Sequence, residues 1–167
     1  MSIMQSGVVE VKLTRGLVTI IDAEDFELVS QHKWHAVPGR STYYAQRAEY
    51  THGRKQAVWL HRFLLNPPAG VHVDHADSNG LNNTRSNLRA CSYVENMRNS
   101  LKRRGSSSSN YKGVIKHKDG RPKPWMAQIR VGEKTYTRCF VTEIEAALAY
   151  DKMAREHFGE FAKLNFP

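Results

Sequence analysis

Apolar and polar positions change rhythm several times along the chain, and each change marks an element. Residues 8–21, VVEVKLTRGLVTII, read as two strands around a turn at Arg15-Gly16. Asp22 then heads DAEDFELVSQHKW, where acidic residues fill the first turn and Phe26, Val29 and Lys33 recur at helical spacing. That pattern predicts a helix capped by Asp22. Tyr43-Tyr44-Ala45 and Ala57-Val58-Trp59-Leu60 predict strands, and the second runs into a short helix, HRFLL, stopped by Pro67-Pro68. In VHVDHADSNG, residues 71–80, Val71 and Val73 alternate with His72 and Asp74. The run halts at His75 and a turn built from Asp77, Ser78, Asn79 and Gly80. A short strand is predicted near Asn87-Leu88-Arg89. Ser92 with Glu95 three residues on forms a capping box, so residues 93–100 are expected to be helical, with Asn96 one turn inside.

The last third repeats a simpler scheme. YKGVIKHK, WMAQIRV and KTYTRCFV are three short alternating runs separated by turn residues, which predicts a small antiparallel sheet. TEIEAALAYDKMAREHFG follows, opened by a second capping box, Thr142 with Glu145, and closed by Gly159. Ala146, Ala149, Tyr150, Met153 and Phe158 give that helix one apolar stripe. One face of the sheet is then covered, and the other is expected to carry Lys112, Lys116, Arg130 and Arg138. Between the two patterns lies LKRRGSSSSN, residues 101–110, too polar to order itself by burial. The expected organisation is α+β, with a domain over 1–100, a flexible basic and Ser-rich linker over 101–109, and a domain over 110–167. Lys102, Arg103 and Arg104 in the linker are suited to tracking phosphates.

Charge sharpens this division. The 167 residues carry a net charge of +9, and the sequence pI is about 9.7. Residues 1–100 hold 11 Lys and Arg against 9 Asp and Glu, whereas residues 101–167 hold 14 against 7. A polyanionic partner is implied, nucleic acid first and an anionic membrane surface second, and its main contact lies in the C-terminal part. Mean hydropathy is −0.58, and no run of about 18 apolar residues exists, so no membrane span or membrane partner is expected. MSIMQSGVVE lacks a basic start followed by an apolar core, so no secretory leader is expected and the location is read as cytoplasmic. Cys91 and Cys139 stand far apart and outside any C-x-x-C pair, which argues for two free thiols and against a structural zinc site.

The polar residues of 71–99 are unusual in kind. Asp74, His75, Asn87 and Asn96 all coordinate hard cations or share protons. Together with LHRFLL, VDH, NLR and EN, and with LTRG, DFELVSQHKW and YYAQR upstream, they make residues 8–100 resemble the HNH endonucleases. The likeness is to the cysteine-free ββα-metal form found in many homing and phage enzymes. The resemblance implies His75 as general base, Asn87 as the residue whose amide ties the loop so that His75 points correctly, and Asp74 and Asn96 as oxygen ligands to one Mg²⁺ or Mn²⁺. Arg85, Arg89 and Arg98 are candidates to hold phosphates. His61 resembles a recurring family position but reads more simply as a packed histidine; Arg62 and His72 are minor candidates.

NYKGVIKH, WMAQIRV, EIEAALAYDKMA and AKLNFP make residues 110–167 resemble the plant APETALA-two/ethylene-response-factor DNA-binding domain. That family lays a three-stranded sheet in the major groove. Carried over by position, it implies DNA contacts at Lys112, Lys116, Trp125, Gln128, Arg130, Tyr136 and Arg138. The reading is a site-specific, metal-dependent endonuclease of homing type acting on double-stranded DNA. As a monomer it nicks; as a homodimer it cuts both strands. A non-catalytic DNA-binding regulator with a decayed nuclease half is the alternative, and an RNA-binding module is a third reading.

Overall fold

The computed structural model describes residues 7–102, 105 and 108–167. The chain divides into two compact units, Met1–Asn96 and Met97–Pro167. No helix among the described residues is long and apolar enough to cross a membrane.

The first unit begins with a hairpin, β1 (Val8–Lys12) against β2 (Val18–Asp22). The turn at Arg15-Gly16 takes left-handed backbone at both residues, φ 65° and 68°. Helix α1 is shorter than the sequence predicts, covering only Phe26–Ser30 after a 3-10 turn at Ala23–Asp25. Asp22 does not cap it: its carboxylate accepts the Arg85 backbone N–H at 2.7 Å instead. Strands β3 (His35–Pro38), β4 (Tyr43–Thr51) and β5 (Arg54–Trp59) form a second antiparallel sheet in sequence order. β5 runs into α2 (Leu60–Leu65), which ends at left-handed Asn66 before Pro67. β6 (His72–His75) pairs antiparallel with β7 (Leu88–Cys91), and α3 (Tyr93–Asn99) follows. The Ser92–Glu95 box forms, with Ser92 N–H donating to Glu95 at 2.8 Å and Glu95 N–H to Ser92 Oγ at 3.3 Å. Ile21, Val29 and Leu60 are fully buried at the centre of one apolar cluster that also takes in Val73 and Leu88. Each such side chain contributes about 1.5–3 kcal/mol on burial, so the strands that bear Asp74 and His75 are anchored by their own apolar neighbours.

The second unit is a sheet in the order β10-β9-β8, with β8 (Val114–Lys116), β9 (Trp125–Val131) and β10 (Lys134–Phe140), covered by α4 (Glu143–Phe158). The Thr142–Glu145 capping box is present in both directions. Val114, Ala127 and Ile129 pack on Ala146, Ala147, Tyr150 and Ala154 of α4. Buried Asp151 ties the chain end down, accepting from Asn165 N at 2.8 Å, Asn165 Nδ2 at 3.0 Å and Phe166 N at 2.8 Å. The linker expectation is corrected at its end. Ser108 accepts the Lys116 N–H, and buried Ser109 donates to Glu143 at 2.7 Å, so both belong to the second unit. Lys102 is likewise engaged, donating to Tyr111 O. Arg103 and Arg104 lie outside the described residues.

Candidate functional site

β6 carries Asp74 and His75 because its apolar partner positions hold it in the core, yet both polar side chains are themselves buried. Burying them without partners is costly, so the local bonds decide what they do. The turn after β6 is an Asx turn: Asp77 Oδ1 accepts the Asn79 N–H at 2.7 Å, with Ser78 at φ 66°. Gly80 lets this loop press against β4, because a Cβ there would sit 2.5 Å from Tyr43 O and from the Tyr44 ring. Buried Asn87 laces the loop shut. Its Oδ1 accepts the Asp77 N–H at 3.0 Å, and its Nδ2 donates to Asp77 Oδ1 at 3.0 Å and Asn82 O at 2.8 Å.

The amide that reaches the candidate base is a different one. His75 Nε2 lies 3.3 Å from Oδ1 of Asn83, which is fully buried. The sequence reading passes over Asn83, since Asn82-Asn83-Thr84 looks like any turn. An aromatic box surrounds the His75 ring: Tyr44 at 5.7 Å and His61 at 5.2 Å, both edge-on, with Trp59 behind His61 at 6.1 Å. Burial pushes the His75 ring below its ordinary pKa, against the opposing pulls of the Asn83 bond, Asp77 and Asp74. Burial, with His75 and Arg62 nearby, takes His61 down to about 3. Its Nδ1 is buried without a hydrogen-bond partner among the described residues. Burial and then Asp74 raise the Tyr44 hydroxyl. Burial therefore favours the uncharged form of the His75 ring.

Asp74 pairs with Arg89 across the β6–β7 ladder. Asp74 also lies close enough to Cys91 to help burial raise its thiol, and the Asn96 backbone N–H bonds the same thiol. The Asp74 carboxylate and the Asn96 amide oxygen would make an oxygen-only donor set, of the kind a small hard cation takes while keeping most of its waters. Among the described residues no three His, Cys, Asp or Glu side chains are grouped for a metal. A cation bound at Asp74 would have to share its carboxylate with Arg89.

The other arginines are engaged as well. Arg85 forms a two-toothed pair with Asp25, Nε to Oδ2 at 3.0 Å and NH2 to Oδ1 at 2.7 Å, and so clamps the loop to the turn after β2. Arg98, in the second unit, lies over the Phe158 ring at 4.6 Å.

In the second unit the expected contacts divide by face. Paired residues of an antiparallel ladder share a face, and neighbours along a strand alternate. Ala127 and Ile129 face α4, so Gln128 and Arg130 stand on the open face beside their partners Thr137 and Thr135. Lys116, Tyr136 and Arg138 pair with Trp125, Ile129 and Ala127, and fall on the helix side. Tyr136 stacks on His157 of α4 at 4.9 Å, and the Lys116 amine lies 5.1 Å over the Trp125 ring. Lys112 turns inward. Its amine donates to Arg98 O at 2.5 Å and Ser100 O at 2.6 Å, where the carbonyls at the end of α3 lack helical partners. Burial, with Lys163 nearby, takes it down to about 8. The expectation that the open face carries Lys112, Lys116, Arg130 and Arg138 is thus corrected: of these four, only Arg130 stands there.

No family model and no solved structure matches the chain. The Dehydration-responsive element-binding protein 2D of Arabidopsis thaliana is 42% identical over 65 residues, 37% of this chain and 30% of that protein. An uncharacterized HNH endonuclease of Acanthamoeba polyphaga mimivirus is 35% identical over 157 residues, which span 90% of this chain and 76% of that relative. With a likeness of that reach, the chain belongs to the HNH endonuclease family.

Proposed function

We propose that the protein is a site-specific DNA endonuclease of homing type, whose first unit hydrolyses a phosphodiester bond and whose second unit, an APETALA-two/ethylene-response-factor-like module, reads the duplex. The observation that carries the chemistry is the buried His75, boxed by aromatic rings and bonded by Asn83, next to the Asp74 carboxylate. His75 takes a proton from water as the water oxygen bonds to phosphorus. The P–O3′ bond breaks, and solvent returns a proton to the 3′ oxygen. Asp74 and Asn96 are the residues that would hold a Mg²⁺ or Mn²⁺ ion, and such an ion would supply charge neutralisation at the phosphate. Asn87 keeps the loop closed around the base. Arg89 serves first to orient Asp74, and Arg85 to fix the loop.

The reading surface is the open sheet face, where Gln128 and Arg130 match the side chains that pair with adenine and guanine edges. The basic surplus of residues 101–167 supplies phosphate attraction. Arg130→Ala is expected to weaken duplex binding by about 1–3 kcal/mol in a mobility-shift titration, with cleavage at saturating DNA unchanged.

The function itself is tested by incubating the full chain with supercoiled plasmid libraries under Mg²⁺, Mn²⁺ or a chelator. Nicked or linear product that needs the ion is expected. DNA that is shifted but never cut, with either ion, would overturn the reading in favour of a DNA-binding regulator.

A further inference from the structure

We infer that Asn83 and Thr19 act as positioning residues that fix the proton of His75 on Nε2 and leave the lone pair of the neutral ring on Nδ1. The inference rests on the reading of His75 as general base. It follows from counting protons along one buried chain of bonds. Leu81 O accepts from Thr19 Oγ1 at 2.8 Å and from Ile20 N at 2.9 Å. A carbonyl has no proton to give, so the single hydroxyl proton of Thr19 points at Leu81. Thr19 Oγ1 then offers only lone pairs to its other neighbour, Asn83 Nδ2, at 2.8 Å. The same Nδ2 donates to Gly80 O at 3.3 Å. Two acceptors that cannot donate in return settle which end of the Asn83 amide is NH₂. Its oxygen end therefore faces His75 Nε2 at 3.3 Å. An amide oxygen also has only lone pairs, so Nε2 must bear hydrogen, and a neutral imidazole protonated there has its lone pair on Nδ1.

Thr19 and Asn83 are both fully buried, so water does not compete for any of these groups. The backbone is pinned as well: Asn83 N donates to Ile20 O at 2.7 Å, and Ile20 bridges Asn82 in parallel. The opposite tautomer would set two lone pairs against each other across the His75–Asn83 contact. The β1–β2 hairpin, 64 residues before Asn83 at Thr19, is thereby part of the catalytic apparatus rather than packing alone.

The test uses the full chain with ¹⁵N-labelled histidine, the His75 signals being assigned by their loss in His75→Ala. Wild type is expected to show protonated Nε2 and bare Nδ1. Asn83→Leu, which keeps the bulk and removes the acceptor, is expected to lose that preference and to lower kcat about 10- to 100-fold with KM for DNA unchanged. Thr19→Val is expected to shift both readouts the same way by less, and Thr19→Ser, which keeps the hydroxyl, to restore them. A proton on Nδ1 in wild type would overturn the inference, as would a folded Asn83→Leu that cleaves at the wild-type rate. Should Asn83→Leu fail to fold, the Thr19→Val and Thr19→Ser pair decides, and equal tautomers and rates in the two would sink it. If wild type cuts no DNA, the general-base reading fails by itself, while the tautomer readout still judges Asn83 and Thr19.

Discussion

His75→Ala is expected to lower DNA cleavage by about 10²–10⁴-fold, the usual yield of one positioned general base, with duplex affinity close to that of wild type. The affinity holds because His75 is buried and uncharged, while the basic surplus lies mostly in residues 101–167. Some stability goes with the activity. Asn83 Oδ1 loses the ring nitrogen beside it, and a buried acceptor left without a donor costs about 1–3 kcal/mol. A melting curve separates that loss from the chemical one, because a protein still folded at the assay temperature shows only the latter. Added imidazole is expected to restore part of the rate to His75→Ala and none to Asp74→Ala. A folded His75→Ala that cuts as fast as wild type would remove His75 from the reaction.

This assignment was partly legible in the residues. An apolar strand that stops at adjacent Asp and His is hard to explain by packing, and Asn87, Asn96 and the Ser92 box keep the spacing that the HNH resemblance requires. Asn83 and Thr19 were not legible. Asn83 stands among turn formers, and Thr19 in Val18-Thr19-Ile20-Ile21 is simply a β-branched strand residue. Only the fold brings them together, because β2 passes the loop after β6. The same limit applies to the sheet. Every residue of β10 but Phe140 is exposed, so its alternation gives no burial signal, and a one-residue change of register exchanges Tyr136 and Arg138 for Thr135 and Thr137 on the open face. The β4–β5 hairpin was half visible for a similar reason. Its far end, around His52 and Gly53, is exposed on both faces and shows no apolar period. Lys112 misled because a lysine that caps the carbonyls ending α3 has the same letter as one that meets a phosphate. Asp22 misled because a carboxylate before a helix is an ordinary cap until a distant N–H, here that of Arg85, claims it.

The second unit depends on a glycine, and Gly113→Ala is expected to destabilise it by about 2–5 kcal/mol. Gly113 has φ +70°, a left-handed conformation that costs a residue with a Cβ about 1–2 kcal/mol. A Cβ there would also lie 2.0 Å from Tyr150 Cδ2 and 2.1 Å from Cε2. Tyr150 is buried against Val114 and Ala127, so its ring has little room to yield, and overpacking of this kind costs about 1–3 kcal/mol more. The total rivals the whole stability of so small a unit, about 0.05–0.15 kcal/mol per residue. The consequence for binding is direct: Gly113 O accepts the N–H of Gln128 at 2.7 Å, so displacing Gly113 disturbs the strand that carries Gln128 and Arg130. Thermal unfolding should show a lowered transition, and mobility shifts a loss of duplex affinity. Gly132 provides the control, since it has φ +60° and a Cβ on it would meet nothing within 4 Å. Gly132→Ala should therefore cost only the backbone part. Adding Tyr150→Leu to Gly113→Ala should recover stability relative to the sum of the single changes, because the clash exists only when both groups are present. Equal melting temperatures for Gly113→Ala and Gly132→Ala would show that the ring does not press on Gly113, and the account of this contact would be lost.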